Sequence, residues 1–286
     1  DSKGNFGKVY SRDMAYAAPR YTEAKLDGIC AELFRDIDTD AVDFVDNYDG
    51  EIKEPTLLPT TFPNILVSAN TGIAVGMASN FCGFNLEEVC RTTIECIKNP
   101  EHDILSTMPA PDFTTGGELI YDESEMRAIY ESGRGSCKVR AKWQYDKKEN
   151  LIEVTEIPYT MIGANIGKFL NDVASLVETK KTTDIVDISN QSSKEGIRIV
   201  LELKKGADTE QLTNMLYKKT RLEDTFGVNM LAVADGRPET LGLTRIFDHV
   251  IDFQFELNTR KYKTLLNKEL DKKEIQEGLI KACDVI

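Results

Sequence analysis

Residues 151–178 read LIEVTEIPYTMIGANIGKFLNDVASLVE, and this stretch decides the fold class. Its opening, 151–157, suits a strand. Past Pro158 the apolar residues Ile166, Phe169, Leu170, Val173 and Val177 recur at helical spacing. Strands are expected next at 185–188 and 197–203. A helix through Leu212, Met215 and Leu216 then leads to a strand that ends near Val233. The order β-α-β-β-α-β predicts a split-βαβ-like layer within a mixed α+β protein.

Downstream, Gly236-Arg237-Pro238 breaks the chain. Leu243, Ile246, Phe247, Val250, Leu257, Leu265, Leu266 and Leu270 then describe long helices whose period suits a coiled coil or helix-on-helix packing. Upstream, Cys137, Val139, Ala141 and Trp143 alternate with Lys138, Arg140 and Lys142, a half-buried strand with one basic face. That face suits DNA phosphates, although plain solvation is the simpler reading of the residues alone. Asp122 and Glu125 open a helix that Gly133 stops. Asn85 caps another, expected to turn Leu86, Cys90, Ile94 and Ile97 inward. Pro55, Pro59 and Pro63 punctuate an extended connection. Residues 65–67 and 73–75 read as short strands around Ser68-Ala69-Asn70-Thr71-Gly72. A helix is expected from Thr22, with Leu26, Ile29, Cys30, Leu33 and Phe34 as its buried stripe. Gly4-Asn5-Phe6-Gly7 reads as a turn, with a phosphate-cradling loop as the alternative.

The chain of 286 residues holds one large or two to three small domains, and its 41% hydrophobic content is ample for a core. No apolar run reaches the length of a membrane span, and no signal-peptide pattern opens the chain. The six cysteines, Cys30, Cys82, Cys90, Cys96, Cys137 and Cys283, form no CxxC pair, which fits reduced thiols in a cytoplasm. With only His102 and His249, a histidine-based metal or acid–base site is not expected. Asp36, Asp38, Asp40, Asp43, Asp46 and Asp49 start like a calcium loop. Ala41 and Asn47 then stand where its glycine and glutamate belong, so a solvated acidic face is expected instead. The net charge of −13 runs against DNA binding read globally, but nucleic acid responds to local patches. The chain lacks an opening methionine and ends within a helical pattern, and it reads as part of a longer protein. No Walker A loop is present; Gly133-Arg134-Gly135-Ser136 lacks the spacing.

One dipeptide carries chemistry. In Ala18-Pro19-Arg20-Tyr21-Thr22, an arginine precedes a tyrosine at the start of the expected helix. A free phenol has a pKa near about 10 and is a poor nucleophile at neutral pH. A neighbouring guanidinium favours the phenolate and grips phosphate oxygens with its planar fork. A helix N-terminus would add a second attraction for an anion. Attack by Tyr21 on phosphorus would give a covalent phosphotyrosyl intermediate.

The wider context gives this pair its meaning. Arg20-Tyr21-Thr22-Glu23-Ala24, Val42-Asp43-Phe44-Val45-Asp46-Asn47-Tyr48-Asp49-Gly50, Pro63-Asn64-Ile65-Leu66-Val67 and Thr71-Gly72-Ile73-Ala74-Val75-Gly76-Met77-Ala78 follow in order. Glu156-Ile157-Pro158-Tyr159, Gly196-Ile197-Arg198-Ile199-Val200 and Phe226-Gly227-Val228-Asn229-Met230 continue the series. Together they closely resemble the breakage-reunion (A) subunit of bacterial type IIA DNA topoisomerases, over essentially the whole chain. The resemblance implies the end of a winged-helix domain in 1–62, a tower domain in 63–238, and the start of a coiled coil and exit gate in 239–286. It implies Tyr21 as nucleophile, Arg20 as its electrostatic partner and Ile73 as a wedge between base pairs, with Asn70, Thr71 and Gly72 beside it on DNA. It further implies a homodimer that joins two B subunits in an A2B2 complex on double-stranded DNA. The B subunit would hold ATP and catalytic Mg2+, and this chain no cofactor. Two departures stand out: Pro19 where methionine is common, and Phe81-Cys82-Gly83-Phe84-Asn85 where the family usually reads Ile-Pro-Pro-His-Asn. The second keeps an alternative open, a catalytically silent dimeric DNA-binding or scaffolding paralogue.

Overall fold

The computed structural model describes residues 2–7, 15–193 and 195–285. The chain begins with β1 (Ser2–Lys3) and β2 (Glu23–Ala24), then α1 (Cys30–Leu33), β3 (Phe44–Asp46) and β4 (Lys53–Pro55). It continues with α2 (Asn64–Val67), β5 (Asn70–Ala74), β6 (Met77–Phe81), α3 (Leu86–Lys98), α4 (Ile104–Thr107) and β7 (Glu118–Ile120). Next come α5 (Glu123–Ser132), β8 (Arg134–Arg140), β9 (Lys142–Asp146), β10 (Leu151–Glu156) and α6 (Ala164–Glu178). The last are β11 (Ile185–Asn190), β12 (Ile199–Leu203), α7 (Thr209–Lys219), β13 (Glu223–Asn229), β14 (Leu231–Ala234), β15 (Arg237–Thr240) and α8 (Leu243–Val285). These elements gather into two compact units. One holds the chain up to Lys25, Ile65–Thr92 and Asp103–Thr244; the other holds Leu26–Asn64, Thr93–His102 and the chain from Arg245 onward. No helix among the described residues is long and apolar enough to cross a membrane.

The predicted β-α-β-β-α-β order is observed, but its strands serve two sheets. Strands β11-β12-β10-β9 form an antiparallel four-stranded sheet, with Ile152 opposite Leu201 and Val154 opposite Ile199. Helices α6 and α7 cover it with Ile166, Phe169, Val173, Leu212 and Leu216, all buried. Each such side chain removed from water stabilises the fold by roughly 1.5–3 kcal/mol. Strand β13 leaves this layer and pairs with β8 in a second sheet, ordered β5-β6-β13-β8-β7. The stretch expected as one alternating strand therefore divides at Ala141, into β8 and β9. There the Ala141 N–H donates to the Leu222 carbonyl at 2.8 Å, and both side chains are buried in the first core. The alternation itself is observed, with Cys137, Val139 and Ala141 inward.

The helix caps form as expected. Asn85 Oδ1 accepts from the backbone N–H of Glu87 and Glu88, and Asp122 Oδ1 from that of Glu125 at 2.9 Å. Gly133 closes α5 with φ of 71°. Other expectations fail locally. The helix from Thr22 is replaced by a Pro19–Tyr21 3-10 turn, strand β2 and the four-residue α1. Asp27 Oδ1 takes the Ile29 N–H in a local turn, and Gly28 adds the entropic cost of an unbranched backbone. Leu26, 74 % exposed, belongs to no core. Residues 65–67 form a helical turn in α2, not a strand, because so short an apolar run carries no period of its own. In α3 the buried residues are Val89 and Thr92, while Leu86, Ile94 and Ile97 are exposed. Thr92 is accommodated inside because its hydroxyl meets that of Thr107 at 2.8 Å.

Helix α8 has 43 residues, about 65 Å at 1.5 Å per residue, and from Arg245 onward it belongs to the second unit. Ala41 and Val42 pack against Leu257 and Phe253, and Gln254 donates to the Thr60 carbonyl. The acidic run is not simply solvated. Arg260 reaches Asp43 at 3.0 Å and Asp40 at 3.4 Å, and Lys261 reaches Asp36 at 2.7 Å.

Residues 81–84, the segment that departs from the resembled family, are wholly buried. A Cβ on Gly83 would lie 3.2 Å from the Val67 carbonyl oxygen and 3.3 Å from that of Asp112, so the chain packs tightly there. Burial pushes the Cys82 thiol far up, with nearby Cys137 adding to it, and burial raises Cys137 to about 11. At pH 8 a thiol of that pKa is about one-thousandth thiolate. Maleimide labelling at pH 8 is expected to modify exposed Cys283 within minutes and to spare Cys82 and Cys137 until denaturant is added. Peptide mass mapping checks this, and native labelling of Cys82 would contradict the packing.

Candidate functional site

Tyr21 ends the Pro19–Tyr21 turn rather than starting a helix, so no helix dipole acts on it. Pro19 presets the backbone, and the Tyr21 N–H donates to the Ala18 carbonyl at 2.9 Å. Thr22 closes the turn on the Pro19 carbonyl through both its N–H and its hydroxyl. From there the chain pairs at once with the N-terminal strand, Lys3 opposite Glu23 and Ser2 opposite Ala24. Gly4, at φ of 94°, lies so near that a Cβ would meet the Tyr21 carbonyl oxygen at 2.4 Å. Asn5 folds the same segment back, accepting Gly7 N–H and donating to Ala15. Gly4-Asn5-Phe6-Gly7 is thus a turn that buttresses the tyrosine.

The result is a backbone fixed on both sides with a side chain left in solvent. Tyr21 is 66 % exposed, and the Arg20 guanidinium carbon stands 4.9 Å from its ring centroid. An exposed cation–π contact of this kind contributes about 0.5–1 kcal/mol. It holds the guanidinium against the face of the Tyr21 ring. Tyr130 shows the contrasting environment: buried, it donates to the Met108 carbonyl, and burial pushes its ionisation far up.

In the same compact unit, β5 and β6 form a hairpin with Ile73 opposite Ala78 and Ala74 opposite Met77. Val75 and Gly76 make its two-residue tip, with Gly76 at φ of 79°. Ile73 is 88 % exposed, and Val75 is exposed completely. Ile73 therefore projects into solvent and belongs to no core. Asn70, Thr71 and Gly72 lie on the exposed strand that leads to it.

The basic face is less available than its sequence suggests. Arg140 donates to Glu223 at 2.6 Å and lies 4.7 Å over the Tyr217 ring. Lys142 stands 3.5 Å from Glu156. Lys138 is exposed, opposite Thr225 in β13. Strand alternation reports which residues share a face, but not the carboxylates that neighbouring strands bring there.

The distribution of charge along the chain marks the same region. From Pro55 to Leu86 there is no charged residue, in a protein that is 29% charged and strongly acidic. From Thr225 to Ala234, the part of the chain on which the hairpin rests, there is none either. The hairpin and the segment it rests on thus carry no carboxylate of their own. Among the described residues, no group of three or more His, Cys, Asp or Glu side chains comes together to hold a metal.

With this geometry in place, comparison with known proteins is specific. The family profile for the A subunit of DNA gyrase/topoisomerase IV matches residues 1–286. The DNA gyrase A subunit of Clostridium acetobutylicum is 46% identical over 292 residues, covering 100% of this chain and 34% of the relative. That of Mycoplasma genitalium is 40% identical over 288 residues, covering 99% and 34%. That of Staphylococcus aureus strain NCTC 8325 is 40% identical over 293 residues, covering 100% and 32%. The chain spans about a third of the length of the curated relatives it matches.

Proposed function

The chain belongs to the family of DNA gyrase and topoisomerase IV A subunits, and from that premise we propose that Tyr21 is the nucleophile of a transient double-strand DNA break. The single observation that carries this reading is an exposed tyrosine on a fixed turn with an arginine stacked on its ring. The phenol oxygen attacks a backbone phosphorus, the bond from phosphorus to the 3′ oxygen breaks, and the 3′ oxygen leaves as a hydroxyl. A 5′-phosphotyrosyl ester results. One phosphodiester replaces another, so resealing by the 3′-hydroxyl needs no added driving force. Arg20 would stabilise the charge gathered on phosphorus's oxygens, an interaction stronger in the transition state than before it.

Ile73, with Asn70, Thr71 and Gly72 behind it, would enter a base step and bend the duplex. Unstacking a step costs a few kcal/mol, recovered through the wider contact that a bent duplex makes. Two copies of this chain would cut both strands, and a second duplex would pass between them. The partner B subunit would hold ATP and Mg2+ in an A2B2 complex in the cytoplasm. On this reading 1–62 ends a winged-helix domain, 63–238 is a tower, and 239–286 begins a coiled coil and exit gate. The silent-scaffold alternative draws its support from the divergent 81–84 segment. Because those residues are core rather than surface, the divergence bears on packing and not on a DNA-facing loop.

The test uses the full-length protein with its B subunit, Mg2+ and supercoiled DNA. The reaction is stopped with denaturant, the protein digested, and the DNA-bound peptide identified by mass spectrometry. A peptide containing Tyr21 on DNA 5′ ends is expected; a different linked residue, or none with DNA binding intact, would defeat the assignment. A second expectation concerns the basic face. Lys138→Ala should weaken duplex binding and lower the slope of log affinity against log salt by about 1, the share of one phosphate contact. An unchanged slope would remove Lys138 from the interface.

A further inference from the structure

Strands β6 and β13 are neighbours in the five-stranded sheet, yet one residue pair alone, Asn80 with Asn229, stands in register between them. Between β13 and β8 the ladder runs from Glu223 and Arg140 to Asn229 and Arg134. Side chains replace the missing rungs on the hairpin side. Asn80 Nδ2 donates to the Gly227 carbonyl, and Asn229 Nδ2 donates to the Ala78 carbonyl. Each carboxamide oxygen is also held: the Thr71 hydroxyl donates to Asn80 at 2.7 Å, and the Thr240 hydroxyl to Asn229 at 3.3 Å. The Ser79 hydroxyl donates to the Leu231 carbonyl at 2.8 Å. The two amides reach across the seam from opposite strands with the same two-residue slant, so slippage of the hairpin in one direction stretches both at once.

We propose that Asn80 and Asn229 are positioning residues, an amide clasp that sets the angle at which the hairpin presents Ile73 and Val75. The inference rests on the reading of Ile73 as a wedge. An isolated two-stranded hairpin is marginal in water, so this tip is only as well aimed as its attachment. A wedge needs aim, because an apolar side chain displaced from the base step gains no stacking contact. Aspartate is the discriminating substitution. It keeps the shape of asparagine, removes the amide donor and sets a carboxylate against a carbonyl oxygen.

The experiment uses the full-length protein, its B subunit, and a duplex labelled at both ends, so that energy transfer reports bending. Duplex affinity, denaturant-trapped covalent complex and thermal unfolding are measured alongside. Asn80→Asp and Asn229→Asp are each expected to lower the bent fraction and the covalent yield by about two- to tenfold, the usual scale for losing one half-buried hydrogen bond. Bending unchanged in folded Asp variants overturns the clasp. So does a loss of affinity and melting temperature together at an unaltered bend, the signature of a structural role alone. Should the Asp variants not fold, Thr240→Val carries the test: a smaller fall in bending is expected, and none overturns the proposal. Ile73→Ala separates the two readings. If it keeps the bend, the wedge itself is wrong; if it loses the bend while the Asp variants keep it, only the clasp is.

Discussion

Tyr21→Phe is expected to eliminate the covalent protein–DNA complex proposed for the full-length protein with its B subunit. The substitution deletes one oxygen, the atom that would bond to phosphorus, so the expected loss reaches the detection limit of the assay. The fold should not notice. Tyr21 is mostly exposed, and surface changes of this size shift stability within about 0.5 kcal/mol. Duplex affinity and melting temperature therefore stay at their original values while cleavage vanishes. Arg20→Ala provides the graded companion. Removing one preorganised donor at a developing charge costs about 100- to 1000-fold in rate. Ala there leaves the phenol in place, so the covalent complex still forms, slowly. A Tyr21→Phe protein that still joins DNA would show that another residue performs the chemistry.

Phe169→Ala has the largest expected effect on stability. Phe169 is fully buried on α6, among Ile152, Val154, Ile199 and Leu201 of the four-stranded sheet. Truncating a buried phenylalanine costs about 3–5 kcal/mol, the sum of lost transfer energy and an unfilled cavity. Denaturant unfolding should show a lower midpoint with an unchanged slope. A loss under about 1 kcal/mol would mean that α6 and the sheet close over the gap.

Phe169 was legible from helical spacing alone, as were its neighbours on α6. So were the caps at Asn85, Asp122 and Gly133, because each is decided by residues within a turn of one another. Failures of the sequence reading share a different cause. Glu23 and Ala24 leave the expected helix to pair with Ser2 and Lys3, and Asp27 diverts the next turn into a local bond. The strand from Cys137 to Trp143 splits at Ala141 because Leu222, remote in sequence, bonds to it there. The acidic run docks on Arg260 and Lys261 of α8, which no local pattern announces. At the candidate site the same division holds. Arg20 and Tyr21 are adjacent in sequence and were readable, whereas the pairing of Arg140 with Glu223 and of Asn80 with Gly227 depends on strands far apart in the chain.

Helix α8 has a mechanical consequence. Its polar anchorage ends at Lys261, and the helix continues to Val285, about 36 Å further at 1.5 Å per residue. A rigid rod of that length is a lever: each degree of tilt at the anchorage sweeps the far end by roughly 0.6 Å. The fulcrum joins the apolar contact of Leu257 and Phe253 with Ala41 and Val42 to ion pairs whose aspartates Asp40 and Asp43 face solvent, and the strength of those pairs falls with ionic strength. Salt thus loosens the ionic share of the pivot and leaves its apolar share, and a degree or two of rocking there would move the tip by about an ångström.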